Sequence, residues 1–135
     1  MPPTLRRTAV SLIALGVLFS GAPSAEAASL EPLKVKTVTI KDRPVRFVLA
    51  VDGNTAYVLM KFRRNGKWRT VASDKTDCKY FPGSHDPSLQ VQKADKQVLI
   101  GWFGPTDARM DEYGGYNVRR RTVDMFGTES CPPAG

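Results

Sequence analysis

The chain has 135 residues, of which 41% are hydrophobic and 24% charged, enough for one ordinary domain and too little for two that each bury a core. That balance excludes a multi-pass membrane protein and a disordered tail. Twenty Lys and Arg against thirteen Asp and Glu give a formal charge of +7, which admits anionic partners but falls short of an obligate nucleic-acid binder.

A basic start at Arg6 and Arg7, an apolar run from Val10 to Gly21 and small residues at Ala25 and Ala27 have the three-part layout of a secretory signal peptide. The run is too short to cross a bilayer core of about 30 Å, and no Lys or Arg follows before Lys34 to act as a stop-transfer anchor. Cleavage is expected after Ala27, which makes 1–27 the leader and 28–135 the secreted domain. Its loss removes Arg6, Arg7 and Glu26, so the basic balance survives. Leu5, Ala9 and Val10 around the Arg pair fit a twin-arginine signal poorly, and no Cys near the cut is available for lipid attachment. The expected destination is an extracellular or periplasm-like compartment, with no membrane span after processing. Such a compartment is oxidising, so Cys78 and Cys131, the two cysteines of the chain, are expected to form one disulfide.

In chain order the pattern reads as strands. Val35 to Ile40 is rich in β-branched residues and ends at the turn-like Lys41-Asp42-Arg43-Pro44. Val45, Phe47, Leu49 and Val51 then alternate with other residues, as do Ala56, Val58, Met60 and Phe62 beyond Asp52-Gly53-Asn54. A two-residue turn at Asp52-Gly53 would set Leu49 opposite Ala56 and Phe47 opposite Val58, with both apolar sets on one face. Asn65-Gly66 is the strongest short-range hairpin signal. It predicts a return strand over Lys67 to Ala72, with Arg63 opposite Trp68 in cation–π contact and Met60 opposite Val71.

Residues 73–88 contain two Pro and one Gly and read as a long loop. Leu89 to Val91 reads as a short edge strand, and Gln97 to Phe103, apolar on both faces, as a buried central one. Gly101 within it suggests a bulge. A second loop is expected over 104–115 with at most one helical turn near Asp107 to Tyr113, then a strand from Tyr116 to Met125 carrying Arg119 to Arg121. The tail from Gly127 is read as extended and held by Cys131. About seven short strands with hairpins and one disulfide point to an all-β fold, a single small antiparallel β-sandwich of immunoglobulin-like architecture. A small β-barrel is the alternative.

Candidate chemistry is sparse. His85, the single histidine, lies between Ser84 and Asp86, whose side chains point away from it, so the three form no triad with one another. It is expected on a loop surface. One His and two oxidised Cys supply no usual zinc set, and Asp74 with Asp77, or Asp107 with Asp111 and Glu112, do not match an EF-hand loop. These acids are expected to be solvated. No catalytic residue, cofactor or metal is therefore assigned.

Arg63, Arg64, Lys67 and Arg69 gather on one hairpin and form the candidate anion-binding set, beside Trp68. The competing use of such charges is to protect a strand edge from aggregation. Phe81, His85, Arg109 and Met110 mark the loops that would meet a protein partner. The function expected is that of a secreted, basic, non-catalytic binding or structural module, monomeric, acting on an extracellular macromolecule or envelope component, with a polyanion as one candidate partner. Its rival is a secreted protease or enzyme inhibitor presenting loop 81–88 or 107–112, with Arg109-Met110 as the presented pair. A small secreted hydrolase ranks third.

Overall fold

The computed structural model describes residues 30–104, 109–127 and 131. The expected leader, its cleavage site and Asp107 lie outside these residues. Eight strands follow in order: β1 (Glu31–Ile40), β2 (Arg43–Asp52), β3 (Thr55–Arg64), β4 (Lys67–Lys75), β5 (Ser88–Gln92), β6 (Gln97–Phe103), β7 (Arg109–Asn117) and β8 (Thr122–Gly127). They form two four-stranded antiparallel sheets, β1-β2-β3-β4 and β5-β6-β7-β8. Each sheet is a meander of successive hairpins, whereas the immunoglobulin fold uses Greek-key connections. The two-layer sandwich holds, with eight strands instead of about seven.

The core lies between the layers. Val45, Phe47 and Leu49 of β2 and Val58 and Met60 of β3 are fully buried against Val98, Ile100 and Trp102 of β6, as period-two alternation requires of an inward face. Phe47 and Tyr116 join the layers with ring centroids 4.8 Å apart. The sheets also meet at their margins, where β4 lies beside β8 and β1 beside β5, and the Met125 N–H donates to Asp74 Oδ2 across the first of these seams at 2.7 Å.

The register departs from expectation in instructive ways. The β2–β3 turn is Gly53-Asn54, with Asp52 opposite Thr55 and Leu49 opposite Val58. Gly53, at φ 64°, takes the first central position, as a type II′ turn prefers. Sliding a turn by one residue moves every pair by two, so the apolar residues keep the face assigned to them. Asn65-Gly66 forms the expected tip, with Arg63 opposite Trp68, but a bulge between Met60 and Lys61 puts Met60 opposite Ala72 instead of Val71. Gly101 is not a bulge, since β6 pairs continuously with both neighbours. It is small because Ser88 Oγ and the Arg109 side chain lie over it, 2.6 and 3.4 Å from where a Cβ would stand.

Two larger corrections concern the second sheet. Residues 109–115, expected within a loop, belong with Tyr116 and Asn117 to β7. The Arg119 to Arg121 run, expected within a strand, occupies the β7–β8 hairpin turn.

Candidate functional site

At one end of the sandwich the chain leaves β4 for residues 76–87, and a buried polar cluster fastens this stretch to β6 and β7. Glu112, on the inward face of β7, is fully buried. Its carboxylate accepts from Asp77 N–H at 2.6 Å, Cys78 N–H at 3.2 Å and Trp102 Nε1–H at 3.1 Å. Burial pushes the Glu112 carboxyl above its ordinary range, and the three N–H donors pull it partway back. Cys78 is bridged to Cys131, 53 residues further along the chain, as expected.

The loop acids expected in solvent therefore divide: Glu112 is a buried acceptor, Asp74 caps Met125 N–H, and Asp77 is exposed. Asp111 pairs with Arg109 at 2.9 Å. His85 is buried as well, contrary to the surface expectation, edge-on to Phe81 with centroids 5.3 Å apart and 3.2 Å from Lys79 O through Nδ1. No group of three or more His, Cys, Asp or Glu among the described residues is placed to hold a metal.

The candidate partner-binding residues do not form one protruding loop. Ser84 and His85 N–H fold back onto Phe81 O, and Asp86 N–H donates to Phe103 O at 3.1 Å. Arg109 and Met110 stand in β7, opposite Phe103 and Trp102, with the Arg109 guanidinium 5.0 Å over the Phe103 ring. A strand paired in this way does not offer a free extended segment.

The opposite end gathers four of the hairpin turns. Antiparallel connectivity puts the β1–β2 and β3–β4 turns there, Lys93 Nζ reaches Thr39 O at 3.2 Å from the β5–β6 turn, and Arg121 of the β7–β8 turn stands 5.7 Å over the Phe62 ring. The candidate anion-binding set, Arg63, Arg64, Lys67 and Arg69, is exposed around the β3–β4 tip. It is joined by residues that the sequence pattern had not connected with it: Lys41 and Arg43 at the first turn, Lys93 and Lys96 at the third, and Arg119, Arg120 and Arg121 at the fourth, all exposed. Asp42 and Asp95 are the acids of these same turns. The one ion pair among the described residues, Arg109–Asp111, lies elsewhere.

Aromatic rings hold part of this array in place. Arg43 and Arg121, from different sheets, stand 4.6 and 5.7 Å over Phe62. Trp68 lies under Arg46 at 4.1 Å and under Arg63 at 5.8 Å, and Arg46 Nε–H also donates to Thr37 Oγ1 at 3.1 Å. Such stacking fixes guanidinium groups while leaving N–H donors for a ligand. Comparison with protein families, with curated proteins and with solved structures finds no match.

Proposed function

We propose that this is an exported, non-catalytic binding module that holds a linear phosphodiester polymer of the cell envelope across its basic end. The observation that carries the reading is the convergence of four cationic hairpin turns on one pole, with no ion pair there among the described residues. Unpaired cations of one sign raise the local concentration of polyanions and steer their approach. The cations are spread over separate tips, so a ligand must carry repeated charges to engage several at once. Arg predominates among them, and its planar fork matches phosphate oxygens two at a time.

Export rests on the leader-like N-terminus together with the disulfide. The competing reading, that these cations protect exposed strand edges, is weakened by the seams at which the margins of the two sheets meet.

The test is binding to a glycerol-phosphate polymer, with DNA and heparin alongside, at low and physiological salt, for the wild type and for Arg63→Ser/Arg64→Ser. Affinity for the glycerol-phosphate polymer should fall steeply with salt, and the variant should show a shallower dependence, because each lost phosphate contact removes a counterion-release step. Absence of wild-type binding at low salt would refute the proposal. Preference for DNA or heparin over the glycerol-phosphate polymer would move the assignment to that class.

A further inference from the structure

Backbone conformation singles out particular cations within this basic end. Among the described residues, five other than glycine have positive φ: Lys41 at 50°, Asp42 at 65°, Asn65 at 51°, Lys96 at 54° and Arg121 at 57°. All five sit in the four hairpin turns of the basic end. Away from that end the positive-φ positions, Gly53, Gly83 and Gly127, are occupied by glycine, the residue that takes this conformation without steric cost. The β3–β4 tip uses the inexpensive pair Asn65-Gly66, as a type I′ turn prefers. The other three tips place Lys41, Lys96 or Arg121 where glycine or asparagine would be easier.

The β5–β6 and β7–β8 turns make the same choice in the same place. Each has four residues between paired strand ends, Gln92 with Gln97 and Asn117 with Thr122. Each turn closes with a backbone N–H to the carbonyl three residues back, Lys96 to Lys93 and Arg121 to Val118, both at 3.3 Å. The left-handed residue is the last of the four in both. None of the three cations enters an ion pair among the described residues, so intramolecular charge pairing does not offset the conformational cost. Non-glycine residues held in left-handed conformations tend to mark sites where the side chain is needed.

We infer that Lys41, Lys96 and Arg121 are ligand-contacting residues of the basic end, one from each of three turns, and that they contact separate phosphates of one polymer chain. This rests on the polyanion reading above and narrows it to particular contacts. The left-handed backbone at each position fixes the direction in which the side chain leaves the turn. The three charges are thereby spread over both sheets, as an extended ligand crossing the end of the sandwich requires.

The test compares Lys41→Gly/Lys96→Gly/Arg121→Gly with a control that removes the same charge elsewhere, Lys34→Ser/Lys75→Ser/Lys79→Ser. Binding to the glycerol-phosphate polymer is measured across salt concentrations, and melting in about 0.5 M salt, where charge repulsion is screened. The glycine variant should melt roughly 5 °C or more above the wild type, as relief of strain at three positions implies. It should also bind at least about tenfold more weakly at low salt, with a salt slope lower by roughly three contacts. The control should stay within about twofold of wild-type affinity.

A second variant, Lys41→Asn/Lys96→Asn/Arg121→Asn, keeps a β-carbon and tolerance for positive φ, and should lose affinity to the same extent. Wild-type binding that persists undiminished in both variants would overturn the inference and leave the polyanion reading intact. So would equal losses in the control, or a glycine variant that melts no higher than wild type. Failure of the wild type to bind refutes the polyanion reading itself.

Discussion

Glu112 has the chemistry of a surface residue and the position of a core residue. Three N–H groups converge on it, two from the segment that carries Cys78 and one from Trp102, so a single carboxylate ties the disulfide loop to the second sheet. An uncompensated charge there would be costly, and the donors are what make the site tolerable. Burial still dominates and leaves the carboxyl raised from its ordinary value of 4.5. A carboxyl raised in the native state contributes stability that is complete below the unfolded value and is lost as pH rises through the folded one. Glu112→Gln, which cannot ionise, should lack that component. Urea unfolding at a series of pH values from about 4 to 8 should show the wild type losing stability relative to the variant as pH rises. A constant or growing wild-type advantage would contradict this account.

The same residue shows what the sequence conceals. Met110, Glu112, Gly114 and Tyr116 form the inward row of β7, alternating as any half-buried strand does, but a carboxylate and a glycine in the row erase the hydrophobic signal. The glycine has its own packing reason: a Cβ at Gly114 would collide with the Met125 side chain. His85 was equally unreadable, because its burial comes from Phe81, Trp102 and the fold-back of its own loop, contacts that no local pattern announces.

Among the elements, the hairpins were the most legible and the loops the least. Asn65-Gly66 specified its turn and the facing of Arg63 and Trp68 through local chemistry alone. The bulge between Met60 and Lys61 depends on how β3 and β4 fit their neighbours, and nothing nearby in sequence marks it. β6 was readable to its ends because apolar residues on both faces admit only a central position.

The Cys78–Cys131 bridge acts at this scale by connecting the segment after β4 to the region beyond β8. Closing a loop of that length contributes up to about 4 kcal/mol, chiefly by restricting the unfolded chain. Cys131→Ser should therefore lower unfolding free energy by at most about that amount while leaving the far-ultraviolet circular dichroism of the native sheets unchanged. Loss of sheet signal at 25 °C would show that the bridge is required for the fold itself.

For the molecule as a whole, the two ends have different compositions and different tasks. One carries the disulfide, the buried Glu112 and His85, and, among the described residues, glycine wherever φ is positive. The other carries the larger group of exposed cations and the left-handed Lys and Arg. The sequence showed Arg63 to Arg69 and Arg119 to Arg121 as separate clusters. Only the stacking of both sheets brings Arg121 over Phe62, the residue that precedes Arg63 in β3 and that also lies under Arg43, so the candidate site belongs to the tertiary structure more than to any motif.

The seams between β4 and β8 and between β1 and β5 bear on how this protein fares among its own copies. A two-sheet sandwich ordinarily presents four lateral strands, each with a row of backbone donors and acceptors able to recruit a strand from another molecule. Here each lateral strand runs for part of its length beside one from the opposite layer, and at Asp74 a side chain occupies the N–H of Met125. These seams hinder self-templating by strand addition without help from the cations at the turns. The native protein should remain monodisperse and thioflavin-negative through days of concentrated incubation, and neutralising Arg63 and Arg64 should not change that. Fibril growth in the Arg63→Ser/Arg64→Ser variant alone would return those charges to the role of guarding the sheet margins.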